Sequence, residues 1–142
     1  MRNVLFLLTI AAALAGFGCG KTGVPTAFAE ACRTENDYKI LEIEGFLSER
    51  GGISCSNSTG PMKCGLKLSA AAGDEKFMNA YIEVGTWANE VEKLSDGYKT
   101  EDVKIHGDDG SLVKLGEKLK ITGELRMADA KTCWINVSKI AR

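Results

Sequence analysis

The chain has a single histidine, two prolines and no run of basic residues in its 142 positions. One histidine leaves no second imidazole for a two-histidine metal site, and no G-x-S-x-G stretch supplies a serine for it to activate. No C-x-x-C pair is present, so the thiol-disulfide exchange signature is missing as well. Two prolines set against sixteen glycines exclude a proline-rich linker and point to tight turns and bulges. Eighteen basic and nineteen acidic residues alternate along the chain for a net charge of -1. Without Arg2, the one charged side chain of residues 1–18, seventeen basic groups face nineteen acidic ones, a balance of -2. That is a poor footprint for nucleic acid, which is usually met by a clustered positive field. The length suits one domain with its own core.

Long apolar runs are also scarce, with one exception at the N-terminus. MRNVLFLLTIAAALAGFG carries one positive charge and then an uncharged run from Val4 to Phe17. This is the anatomy of a signal peptide over 1–18, too short to span a bilayer stably. The next residues complete AGFGCGKT (Ala15 to Thr22), one glycine short of a nucleotide-binding P-loop. A P-loop requires its glycine turn between a buried strand and a helix N-terminus. Here Ala15 stands in the first loop position, and Gly-Val-Pro follows Thr22 where the helix would begin. The stretch therefore reads as the end of an export signal.

Two processing sites follow. Gly18-Cys19-Gly20-Lys21 resembles the lipobox of bacterial lipoproteins, although Gly16 stands where that family usually has leucine. The resemblance implies lipidation of Cys19, a tether over 19–25 and attachment to a membrane through the lipid. Gly20 lacks the aspartate that marks inner-membrane retention in Gram-negative lipoproteins, so an outer-membrane address is implied. The alternative is ordinary signal cleavage after Ala27-Phe28-Ala29. Either route predicts export to the periplasm or outer membrane.

Both routes also remove Cys19 from the thiol pool, leaving Cys32, Cys55, Cys64 and Cys133. Four cysteines in an exported chain predict two disulfides. Cys55 and Cys64 flank the turn-rich SNSTGPMK and are paired on that ground; Cys32 with Cys133 follows by elimination. The 55–64 spacing is too wide for a zinc knuckle.

Alternation organises the rest. Residues 26–36 read as a short helix. In YKILEIEGFL, Leu41, Ile43 and Leu47 share one face and Glu42 and Glu44 the other, with Gly45 marking a bulge or bend. CGLKLSA and FMNAYIEV are two further strands, the second with Met78, Ala80, Ile82 and Val84 inward. TWANEVEKLSDGY changes period: Trp87, Val91, Leu94 and Tyr98 fall on one helical face, Thr86 stands at the N-cap and Asp96-Gly97 forms the stop. VKIHGDDGSLVKL reads as a hairpin turning at Asp109-Gly110. LKITGELRM and CWINVSKIA close the chain, with Leu119, Ile121, Leu125 and Met127, then Ile135 and Val137, inward.

The fold class that follows is mainly β: a five-stranded OB-like barrel over 26–142, with a helix between strands 3 and 4 and a short N-terminal helix. LEIEGFL, GEKLKITGEL and CWINVSKI resemble the OB-fold domains of exported bacterial proteins, namely the periplasmic bacterial OB-fold family and the tRNA-anticodon-like OB lipoproteins. The cysteine-bearing loop departs from the plain periplasmic members. The resemblance implies ligand binding on the outer face of strands two and three. Phe77, Asn79, Tyr81 and Glu83 share that face of the third strand, and Trp134 begins the last. Phe77, Asn79, Tyr81 and Trp134 are the candidate ligand face for an envelope protein, a peptide or a saccharide. His106, Asp108 and Asp109 form the one cluster suited to a cation, and through it a small secreted metal-assisted hydrolase is the alternative function. Asp-Asp-Gly is equally ordinary turn chemistry. No cofactor motif is present, and a non-catalytic binding module of the envelope is the expected role. Asn57-Ser58-Thr59 and Asn136-Val137-Ser138 are formal glycosylation sequons, read as chance in a bacterial envelope protein.

Overall fold

The computed structural model describes residues 22–58 and 60–142. The expected signal segment, the AGFGCGKT stretch up to Lys21, and Cys19 with the first residues of the tether lie outside the described residues, as does Thr59 of the first sequon. Nine strands are present among the described residues: β1 (Val24–Pro25), β2 (Ile40–Ser48), β3 (Ser54–Ser56), β4 (Lys63–Ser69), β5 (Met78–Glu83), β6 (Ile105–His106), β7 (Leu112–Val113), β8 (Lys118–Met127) and β9 (Cys133–Ala141). Five of them, β2, β8, β9, β5 and β4, form a ring, because β2 pairs with both β8 and β4. All pairings in the ring are antiparallel except β5 with β9. The result is a closed five-stranded barrel, consistent with an OB-like fold.

Period-2 alternation fills the barrel. Leu41, Ile43 and Leu47 from β2, Leu66 and Leu68 from β4, and Ile82 from β5 are fully buried. Leu119, Ile121 and Leu125 from β8 and Ile135 from β9 complete the interior, with Met127 and Val137 at its margin. Outward carboxylates and lysines pair across β2 and β8: Glu44 meets Lys118 at 2.6 Å and Glu42 meets Lys120 at 3.6 Å. Ile140 is also buried, because β9 carries one extra residue at Ser138, between the pairs Gly123↔Val137 and Thr122↔Lys139. That bulge turns the last residues of β9 over, which plain alternation cannot anticipate.

Gly45 is where the barrel closes. The strand β2 pairs with β8 up to Phe46 and with β4 from Phe46 onward. A Cβ at position 45 would lie 2.6 Å from the Ser69 carbonyl oxygen and 2.8 Å from Leu68 Cδ1. Only glycine lets β4 approach closely enough to take over the pairing.

The N-terminal segment is part of the domain. Strand β1 runs parallel to the start of β2, pairing Val24 with Leu41. The expected helix over 26–36 is shorter than its rhythm suggests: α1 spans Phe28–Ala31, followed by a 3-10 turn at Thr34–Asn36. Ala31 is buried and Phe28 packs against the core. Cys32 is bonded to Cys133 across 101 positions, fastening this segment to the start of β9.

The expected helix after the third barrel strand is absent. Residues 85–99 form an irregular loop that is tied to the sheet, followed by a 3-10 turn at Thr100–Asp102. Val91 makes a parallel bridge to Val84 and an antiparallel bridge to Ile105. Asn89 adopts φ 66°, in the left-handed region, and its Oδ1 accepts a hydrogen bond from the Ile140 amide at 2.7 Å. Its own amide donates to the His106 carbonyl. These tertiary hydrogen bonds replace the i to i-4 ladder that a helix needs. Trp87, assigned to a core-facing helical stripe, is 77% exposed; of that stripe only Val91 is fully buried. The hairpin expected around Asp109-Gly110 is present, as a separate two-stranded sheet of β6 and β7. No helix among the described residues is long and apolar enough to cross a membrane.

Candidate functional site

A concavity lies on the outside of the barrel, over β4, β5 and β9 and beside β3, with a volume of about 620 Å³. Its floor follows from register. Strand β5 places Asn79 opposite Lys67 of β4 and beside Trp134 of β9. Two residues further on, Tyr81 lies between Gly65 and Asn136. These residues face outward because their neighbours Leu66, Ala80 and Ile135 are buried. Two polar and aromatic rungs therefore cross three strands.

Gly65 sets the position of the Tyr81 ring. A Cβ at position 65 would approach Tyr81 Cε1 to 3.1 Å, so the ring lies across the strand that glycine leaves bare. The wall of the groove is β3, paired with β4 at Ser54↔Gly65, Cys55↔Cys64 and Ser56↔Lys63. Cys64 is fully buried, and its disulfide partner Cys55 lies directly across the ladder with a Cα–Cα distance of 4.0 Å. With Cys55 held toward Cys64, alternation leaves Ser54 and Ser56 to line the groove. The Ser-Cys-Ser triplet thus uses its covalent bond to fix which face its hydroxyls present.

Charge in the groove has one sign. Lys63 and Lys67 line it, no acidic side chain does, and neither lysine forms a salt bridge among the described residues. Glu83, opposite Lys63 in the ladder, lies outside the lining. The Lys67 ammonium donates to Asn79 Oδ1 and sits 4.7 Å from the centre of the Phe77 ring. Of the four residues expected on a ligand face, Asn79, Tyr81 and Trp134 line the groove together. Phe77, 46% exposed, stands outside the lining and supports Lys67. Sequence reasoning missed Lys63, Gly65 and Lys67, although the alternation in KCGLKLS marks them as outward. Asn136 was not legible, because the parallel pairing of β9 with β5 has no local signature.

The cation cluster is not assembled. His106 Nδ1 faces the Gly110 carbonyl at 3.1 Å and Nε2 faces Glu92 Oε1 at 3.0 Å. Both ring nitrogens meet acceptors, which suits the imidazolium with its two donors. The Gly110 carbonyl, and then Glu92, raise the His106 pKa above its ordinary value; the bond to His106 in turn lowers that of Glu92. Asp108 pairs with Lys139 at 3.3 Å. Asp109 accepts hydrogen bonds from the Ser111 amide and hydroxyl, which lower its pKa. Each expected ligand is occupied by a different partner. Among the described residues no three of His, Cys, Asp and Glu are grouped as a metal site would need.

Compared with protein-family models, with curated proteins and with solved structures, the chain shows no match.

Proposed function

We propose that this protein is an exported, lipid-anchored, non-catalytic binding module of a bacterial envelope, and that the groove over β4, β5 and β9 receives its ligand. The observation that carries the reading is the lining itself: two aromatic rings, two amides and two lysines that form no salt bridge among the described residues, on one sheet face. Binding sites are concave and present a few convergent polar groups on a preformed frame. The two disulfides support export, since such bonds persist in oxidising compartments.

The N-terminal fold bears on processing. Cleavage after Ala29 would remove β1 and Phe28 and cut through α1, taking away contacts that the barrel uses. Cleavage before Cys19 would leave all of them. With Cys19 acylated, the five residues to Val24 span at most about 17 Å, so the barrel would stand close to the lipid surface.

The test is the intact mass of the protein extracted from its native envelope, with and without reduction and alkylation. The expected chain begins at acylated Cys19 and has four cysteines protected until reduction. A chain beginning at Glu30 would remove the anchor, and an uncleaved Met1 with free thiols would overturn export itself.

A further inference from the structure

We infer that the groove recognises an acidic glycan: an extended oligosaccharide whose rings stack on Tyr81 and Trp134 and whose anionic groups meet Lys63 and Lys67. The inference rests on the binding-module reading and narrows it to a ligand class. Lys63 and Lys67 are four residues apart on one strand, about 13 Å at roughly 3.3 Å per residue. The Tyr81 ring lies over Gly65, midway between them. Two cations flanking an aromatic platform ask for a ligand with a stackable ring between anionic substituents, at the scale of a disaccharide. The remaining lining is rich in groups that pair with sugar hydroxyls: Ser54, Ser56, Asn79 and Asn136.

Competing ligand classes fit less well. An extended peptide usually gains affinity by adding a strand to an open sheet edge. The floor of this groove is a sheet face, and β4 and β5 are hydrogen-bonded on both sides, so the floor offers side chains only. The sheet ends at the wall strand β3, whose three residues give an extended peptide little to pair with. Single-stranded nucleic acid is held by a groove that tracks every phosphate with cations. This groove has two lysines and no arginine, in a chain whose net charge is -1.

Trp134 supplies the readout. Trp87 is 77% exposed and the only other tryptophan, so Trp87→Phe in the full chain leaves Trp134 as the sole tryptophan emitter. The variant, kept in neutral detergent, is titrated with a galacturonate hexamer, its methyl ester, a heparin hexasaccharide and a six-residue oligothymidylate. A saturable change in Trp134 emission is expected with the galacturonate or heparin oligomer, at least tenfold tighter than with the neutral ester. The tighter of the two distinguishes a carboxylate ligand from a sulfate one. Adding Lys63→Gln and Lys67→Gln weakens that binding at least tenfold with an unchanged melting temperature. Equal binding of the methyl ester overturns the anionic assignment and leaves a binding groove standing. A response confined to oligothymidylate overturns the glycan. No response to any probe also overturns it; the intact-mass result then decides separately whether the envelope reading survives.

Discussion

Two regions of the molecule carry the residue types that chemistry usually needs, and they use them in opposite ways. In the His106 turn the imidazole, both aspartates and Glu92 are engaged with partners inside the chain. In the groove, Lys63 and Lys67 form no salt bridge among the described residues and the rings of Tyr81 and Trp134 line open space. The first region spends its charges on holding a hairpin; the second holds its side chains by strand register and a Lys67–Asn79 hydrogen bond, and leaves the Tyr81 and Trp134 rings and the remaining lysine donors facing the groove. A cluster of functional residue types is a site only where its bonding capacity is not already consumed.

The largest effects separate fold from groove. Opening Cys32–Cys133 with serines releases a loop of 101 positions, worth about 4.7 kcal/mol in the chain-entropy treatment. Opening Cys55–Cys64 releases nine positions, worth about 2.6 kcal/mol on the same basis. Denaturant unfolding should rank the variants in that order. The ranking for the groove should be reversed, because Cys55–Cys64 holds the β3 wall and Cys32–Cys133 holds the N-terminal segment. Amide exchange of Ser54 and Ser56 should rise most in the 55–64 variant, with the His106 hairpin unchanged. Protection of β3 without its disulfide would break the argument that the covalent bond builds the wall.

Much of the barrel was legible in the sequence, since alternation in LEIEGFL, KCGLKLS and FMNAYIEV maps directly onto buried and outward faces. The segment 85–104 was not, because its apolar spacing fits a helix while its backbone hydrogen bonds go to distant strands. Nothing local announces that Asn89 will adopt a left-handed conformation to bond the Ile140 amide. The groove was half legible: its floor on β5 follows from one strand's parity. The placement of Trp134 and Asn136 beside that floor depends on the parallel pairs Asn79↔Trp134 and Tyr81↔Asn136, which no local pattern announces, whereas Lys67 meets Asn79 through the antiparallel β4–β5 register.

Asn89 gives the next test in size. Replacing it with alanine removes the acceptor for the buried-end amide of Ile140 and places a Cβ without a compensating hydrogen bond at φ 66°. The lost bond costs about 1 kcal/mol and the left-handed conformation about 1–2 kcal/mol. Asn89→Gly keeps only the first cost, so alanine should be the more destabilising in denaturant unfolding. A variant in which alanine is neutral would mean that 85–99 tolerates a helical rearrangement, as its sequence pattern suggests.

The smallest effect tests whether the His106 turn is structural. The His106 pKa is raised above its ordinary 6.5, first by the Gly110 carbonyl and then by Glu92, whose own pKa is lowered from 4.5. A raised histidine pKa contributes stability that is fully present below 6.5 and is lost as pH rises through the folded value. The lowered Glu92 value contributes above 4.5 and is lost as pH falls through its folded value. The pair is therefore most stabilising between those limits, near pH 5 to 6. His106→Gln should lower the melting temperature slightly there, and the difference from the parent should shrink as pH rises through the raised His106 value. Added calcium or magnesium should not shift either curve, because Asp108 and Asp109 are already committed to Lys139 and Ser111. A divalent-cation shift that His106→Gln abolishes would erase the contrast between the two regions and make the turn a site after all.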